Sequence, residues 1–239
     1  EIYTLSLHDA LPICASVKRL EIGSSLNTVE LLHISSLLTA AARVKNYYED
    51  TTDSLTGYFH ALEPLTPLNT EIKRCILSED EISDDASANL RSIRRQKVLA
   101  AERIHTELNK MLNSSSVRNC LQDFVITSRS GRYCLPVKAE YKSQVPGMVH
   151  DQSATGSTLF IEPAAVVKLN NDIRELELKE QAEIEAILAE LSAKASEFTD
   201  ELLTDFQVLT TLDFIFAKAQ MSKQYKCSCP VKIGRASCR

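Results

Sequence analysis

FVITSRSGRYCLPVKAEYKSQVPGMVHDQSATGSTLFIEP, residues 124–163, decides how the rest of the chain is read. It holds three of the six glycines and three of the seven prolines. It is also the one long region that reads as β. Residues 124–128 and 132–138 form a strand pair around Ser130-Gly131, and residues 145–149 and 157–161 a second pair around Ser153-Ala154-Thr155-Gly156. Everything outward from it is helical.

Upstream, residues 86–112 place Leu90, Ile93, Lys97, Ile104, Leu108 and Met111 at three- and four-residue steps, with Ala100 or Ala101 filling the gap. That is a near-heptad seam. Downstream, apolar residues from Leu169 to Phe216 keep helical spacing almost to Tyr225, and no Gly or Pro interrupts residues 164–229. A pattern much longer than ~25 residues points to a coiled-coil arm. Its apolar line is weakest at residues 179–183, where a bend or a wet stretch is expected. Nearer the start, Ser25 is an N-cap candidate for a helix over 28–48 that contains His33, read as a packing or surface residue. A short apolar segment, 55–62, ends at Pro64, and Pro67 stands where a new helix tolerates proline. The acidic run SEDEISDD, residues 78–85, reads as a hairpin or loop, since it lacks the glycine and terminal glutamate of a calcium loop. The expected class is mainly α: long antiparallel lever or coiled-coil helices with a small antiparallel β insertion.

Composition limits what such a chain does. With 239 residues, 44% hydrophobic and 25% charged, it can bury a substantial core. The net charge of −5 gives no global pull toward nucleic acid, so such binding needs a local patch. Seven cysteines, scattered and odd in number, suggest free thiols in a reducing cytoplasm. No apolar run reaches the ~18 residues of a membrane helix. The ends, EIYTLSLHDALPI and KIGRASCR, resemble translated adapter DNA. Residues 1–14 and 232–239 are therefore set aside, and the native chain is expected to be longer. What remains divides into a helical core region, 15–85, and lever helices, 86–231, with the β tip at 121–163.

The tip gathers Arg129, Arg132, Lys138, Lys142 and His150 against Glu140, Asp151 and Glu162. Between residues 168 and 205 acids outnumber bases. A basic tip on an acidic stalk can touch phosphates at one end only. The same charges also serve a strand edge by discouraging aggregation. His150, Asp151 and Ser153 have the residue types of a hydrolytic triad, but neighbours in a strand point to opposite faces. Asp151 and Glu162 are an acid–base pair only if they meet across a hairpin, and nothing else in the sequence supports that. Cys227 and Cys229 are half a zinc site without its other half. Cys134 has no basic partner that marks it as activated. No glycine is followed by lysine, so a phosphate-binding P-loop is excluded, and GxGxxG is missing too.

The string GRYCLPVKAEYKSQVPGMVHDQSATGSTLFIEPAAVVKLNNDIREL, residues 131–176, resembles the second bacterial branch of the MutS family, the recombination-suppressing paralogue. The match is specific at RY-LPVKAEY, VPG-VHDQSA-G-TLFIEP and V-LNN-REL, and weaker at LRSIRR, LQDFVITSR and LDFIFAKA. It covers residues 15–231. Cys134 stands where an aliphatic residue is usual, and Lys142-Ser-Gln144 where Arg or Gly is common. The resemblance implies lever helices carrying a reduced clamp, with Gly131, Pro136, Gly147, His150, Asp151, Gln152, Gly156, Glu162, Pro163, Asn170 and Asn171 as structural motif residues. It also implies a longer parent with a domain that binds ATP and Mg and a small nuclease-type domain. Such a parent is a homodimeric ATPase and endonuclease that binds branched, mismatched or other double-stranded DNA, restrains recombination, and in some members acts on the ribosome and its rRNA. This segment then holds no catalytic residue, cofactor or metal. Its contacts with nucleic acid fall to Arg129, Arg132, Lys138 and Lys142. Two other readings stand beside it: a coiled-coil scaffold whose β tip binds protein, and a hydrolase centred on His150 and Ser153.

Overall fold

The computed structural model describes residues 7–48 and 54–227. The chain divides into two compact units, one made of residues 1–83 and 188–239, the other of residues 84–187.

The first unit opens with α1 (Leu7–Glu21), α2 (Thr28–Tyr47), α3 (Thr56–His60) and α4 (Thr66–Cys75), followed by the small hairpin β1 (Ile76–Ser78) and β2 (Glu81–Ile82). Residues 7–14, set aside as foreign on sequence, extend α1, and Ile13 is buried; residues 1–6 and 228–239 lie outside the described residues. The cap of α2 is Asn27, two residues beyond the expected Ser25. Asn27 accepts from the Glu30 amide and the Glu30 carboxylate returns to the Asn27 amide, each at 2.9 Å. That reciprocal capping box needs a glutamate three residues on, which Asn27 has and Ser25 lacks. Along α2, Leu31, Ile34, Leu38 and Ala41 are fully buried, the three- and four-residue spacing of one face. Pro67 sits in the first turn of α4, and Leu65 just before it holds a left-handed φ of 38°.

The second unit contains α5 (Ala88–Asn113), α6 (Ser115–Arg118), β3 (Thr127–Arg129), β4 (Arg132–Lys138), a 3-10 turn (Ala139–Gln144), β5 (Gly147–Gln152) and β6 (Thr158–Pro163). Its four strands are antiparallel in the order β3-β4-β6-β5. Both expected hairpins are present, but β3 starts only at Thr127. The reason lies in β4: Leu121 bridges to Val137 and the Gln122 amide donates to the Pro136 carbonyl at 2.9 Å. Those residues occupy the edge that 124–126 would need. Ile104 and Leu108 of α5, Leu135 and Val137 of β4 and Ile161 of β6 form one core with Val166 and Ile173.

α7 (Val167–Ser196) follows, with residues in both units, and then α8 (Thr199–Tyr225) in the first. The expected single helical run over 164–225 is therefore broken at residues 197–198. No Gly or Pro is needed: the Phe198 amide falls back to the Ala195 carbonyl, and Asp200 and Glu201 favour a new helix start. At 179–183, where a bend or a wet stretch was expected, the helix is continuous and the stretch is polar. There Glu180 accepts from Arg94 and Lys97, and Glu183 from Ser87 and Asn89. The weak apolar line is a polar seam between α5 and α7. Among the described residues the chain is mainly helical, with a four-stranded antiparallel sheet and the small β1–β2 hairpin, and no helix is long and apolar enough to cross a membrane.

Candidate nucleic-acid interface

The tip begins with a two-residue turn. Ser130 and Gly131 have φ of 52° and 73°, the paired positive values of a type I′ hairpin, and Arg129 stands directly opposite Arg132. Like charges facing each other across strands repel, so each arginine needs its own relief. Arg129 lies 4.0 Å over the Phe160 ring and 3.3 Å from the Asp151 carboxylate. Arg132 donates to Glu162 Oε1 at 2.8 Å and to Asn171 Oδ1 at 2.7 Å.

Glu162 is the hub. It is 0% exposed, yet it accepts from Arg132, from Asn170 Nδ2 at 2.8 Å and meets His150 Nε2 at 2.5 Å. Burial alone pushes a carboxyl pKa up; the hydrogen bonds from His150, Asn170 and Arg132 outweigh it and hold Glu162 below its usual range. Asn170 does more. Continuing the β4–β6 register, in which Leu135 pairs with Ile161, Tyr133 falls opposite Pro163. Proline has no N–H to offer. Asn170 of α7 fills the gap, its Oδ1 accepting from the Tyr133 amide at 3.1 Å and its Nδ2 lying 3.3 Å from the Tyr133 carbonyl. The sheet is thereby tied to the start of α7 by polar groups that sequence spacing could not pair.

Gly147 begins β5 opposite Pro163, and a Cβ there would overlap the Glu162 carbonyl oxygen. At the other end of β5 the register shifts between Val149 and Asp151, leaving His150 as the extra residue whose ring reaches Glu162. Asp151 lies opposite Phe160 and pairs with Arg129, so Asp151 and Glu162 do not meet as an acid–base pair. Ser153 is a turn residue: its Oγ accepts from the Thr158 amide at 3.1 Å, while Gly156 takes a φ of 70°. His150 is committed to Glu162 and Ser153 to the turn, which leaves no relay between them. Gln152 is exposed in β5, its amide bonded to Asp151 Oδ1.

The four basic residues divide. By strand alternation Arg132 and Lys138 share one face of β4, and Pro136, between them in that alternation, pairs with Phe160. Arg129, packed on Phe160, belongs to the same face. Lys138 places its ammonium 5.9 Å from the Tyr141 ring. Lys142, exposed in the 3-10 turn, has no ion-pair partner among the described residues. The face therefore carries three cations, of which Arg129 covers the Phe160 ring. Arg132 is internally paired and Arg129 is paired at the surface, while Lys138 and Lys142 have no acid among the described residues.

Cys134 lies on this same face of β4, between Arg132 and Pro136, and is fully buried. Burial, helped by Glu162, pushes its thiol up to about 11 against the pull of Arg129 and Arg132. It is inert as a nucleophile at neutral pH. Cys227 is an exposed free thiol, and Cys229 lies outside the described residues. Of the glycines described, Gly57 belongs to a helix, Gly23, Gly131 and Gly156 to turns with positive φ, and Gly147 to a strand. Sequence spacing missed the Arg129–Phe160–Asp151 contact and the Asn170 fork; the available signal was a lone glutamate inside the apolar strand LFIEP, which requires donors from elsewhere.

No family model matches the chain. Curated relatives do. It is 64% identical over 228 residues to Endonuclease MutS2 of Lachnospira eligens, covering 95% of this chain and 29% of that protein. It is 52% identical over 237 residues to Endonuclease MutS2 of Lachnoclostridium phytofermentans, covering 95% and 30%. For Endonuclease MutS2 of Acetivibrio thermocellus the identity is 45% over 231 residues, covering 94% and 29%. The chain thus spans less than a third of the length of these relatives.

Proposed function

We propose, on the premise that this chain belongs to the MutS2 branch of the MutS family, that it is the lever and clamp segment of a longer nucleic-acid-handling protein. The sheet face bearing Arg129, Arg132 and Lys138, with Lys142 beside it, contacts phosphates of branched or other double-stranded DNA, or of rRNA, without reading bases. The long helices α5, α7 and α8 act as levers that pass conformational change to and from that face. The parent is a cytoplasmic homodimer and endonuclease that binds ATP and Mg through a domain outside this segment and restrains recombination. The observation that carries this reading is that Arg129, Arg132 and Lys138 share one sheet face, with Arg129 over the Phe160 ring and Arg132 tied through Glu162 to Asn170 of α7.

The test is binding of this chain to a four-way DNA junction across a salt series. Binding that weakens as salt rises is expected. Removing Arg129, Lys138 and Lys142 together should cut the slope of log K against log salt by roughly 0.9 for each phosphate no longer neutralised. Arg132 is left out, because its removal strips Glu162 of a partner. The same series on ribosomes distinguishes the two partners. A protein-binding tip is favoured by a different observation, the exposed Phe124, Val125, Met148 and Val149. Salt-insensitive association, unaffected by the triple variant, overturns the nucleic-acid reading in its favour.

A further inference from the structure

In the first unit, one peptide group is held between opposite charges from two helices. Lys45 of α2 donates to the Leu62 carbonyl at 2.6 Å, and the amide of the next residue, Glu63, donates to Asp205 Oδ1 of α8 at 2.7 Å. The ammonium lies at the negative end of the peptide dipole and the carboxylate at its positive end, the favourable sense for both. The segment so gripped joins α3 to α4. It contains Pro64 and then Leu65, a non-glycine residue in the left-handed region, a conformation that persists only when its surroundings impose it.

The grip has an imbalance built in. Asp205 is 0% exposed, and its second oxygen, Oδ2, is buried with no hydrogen-bond partner. An ionised carboxylate in such a place ordinarily takes two or three donors; this one has a single backbone N–H, and its cation is already spent on Leu62. We propose that Asp205 is a proton-operated latch: ionised, it grips the Glu63 amide and fixes the α3–α4 segment, and it accepts a proton without leaving its buried seat, which loosens that grip. The charges around it lean the same way. Glu63 on the gripped segment and Glu201 on α8 disfavour the ionised form, and Lys45 alone supports it. His60 of α3 packs edge-on to the Tyr48 ring instead, while on α1 Arg19 is paired with Glu30 and Lys18 and Glu21 are exposed. Burial first, then these acids, push Asp205 up to about 6, within reach of ordinary changes of pH.

The test is an NMR titration of the whole chain between about pH 4 and pH 8, following aspartate carboxyl carbons and the Glu63 amide, with Asp205→Asn to assign the Asp205 signal. The expected result is an Asp205 midpoint near 6, a Glu63 amide proton that moves with the same midpoint, and loss of that movement in the variant. A midpoint below about 5, the range of ordinary carboxylates, overturns the proposal; so does a Glu63 amide indifferent to pH. If the variant does not fold, the same titration in a His60→Gln background decides: an aspartate and the Glu63 amide still moving together near 6 support the latch, and divergent midpoints overturn it.

Discussion

Two carboxylates among the described residues are fully buried, Glu162 in the sheet unit and Asp205 in the helical unit, and they are displaced in opposite directions. Desolvation pushes both up. Glu162 has Arg132, His150 and Asn170 around it, so its ionised form wins. Asp205 has one backbone N–H, one ammonium that is hydrogen-bonded to Leu62, and an orphaned oxygen, so burial wins. The difference teaches that burial by itself does not set the sign; the number of donors brought to the carboxylate does.

The largest effect expected is from Glu162→Ala, which leaves Arg132 without its partner and Asn170 with one acceptor fewer. It should cost about 3–5 kcal/mol in urea unfolding, and Glu162→Gln, which keeps an acceptor, should cost less. Equal losses would mean that charge, not acceptor count, controls the tip. Next is Gly147→Ala. Its methyl group must displace the Glu162 carbonyl, an overpacking loss of about 1–3 kcal/mol with proteolytic sensitivity appearing first in β5.

The pH dependences should run in opposite senses. Glu162 has its folded pKa depressed, so the stability it contributes is present above its ordinary value of 4.5 and is lost as pH falls through the lower folded value. Asp205 has its folded pKa raised from 3.8 to about 6, so its contribution is full below 3.8 and declines as pH rises to about 6. Asp205→Asn, which keeps an oxygen for the Glu63 amide, should therefore raise stability at pH 7 by about 1–2 kcal/mol, with the gain vanishing toward pH 4. A variant equally shifted at both pH values breaks the contrast. The smallest stability effects belong to Arg129→Ala and Lys142→Ala, each within about 0.5 kcal/mol in thermal unfolding. Their consequence should appear in nucleic-acid affinity instead.

Much of this was legible beforehand. Both hairpins follow from Ser130-Gly131 and Ser153–Gly156 between β-rich runs, because turn chemistry is local. The helices follow from apolar spacing, for the same reason. The misplacements are equally physical. Ser25 looked like a cap until Glu30 selected Asn27. Residues 179–183 looked weak because the residues that satisfy Glu180 and Glu183 lie far off in sequence, at and near the start of α5. The break at Phe198 carried a signal in Thr199-Asp200-Glu201, an acidic first turn, which uninterrupted apolar spacing masked. At the interface, the basic residues could be named from sequence, but not which of them were already spoken for.

The sequence by itself determined the helical character outside the tip, the tip's two hairpins, its basic residues and the branch of the family, since each depends on neighbours in the chain or on motifs within it. Tertiary structure alone decided which charges are free. Arg132, His150, Glu162 and Asn170 converge from three strands and a helix, and Asp205 reaches Glu63 across 142 positions of sequence. Whether a buried carboxylate keeps or gives up its charge depends on donors that only folding brings within hydrogen-bond distance, and no local pattern encodes their number.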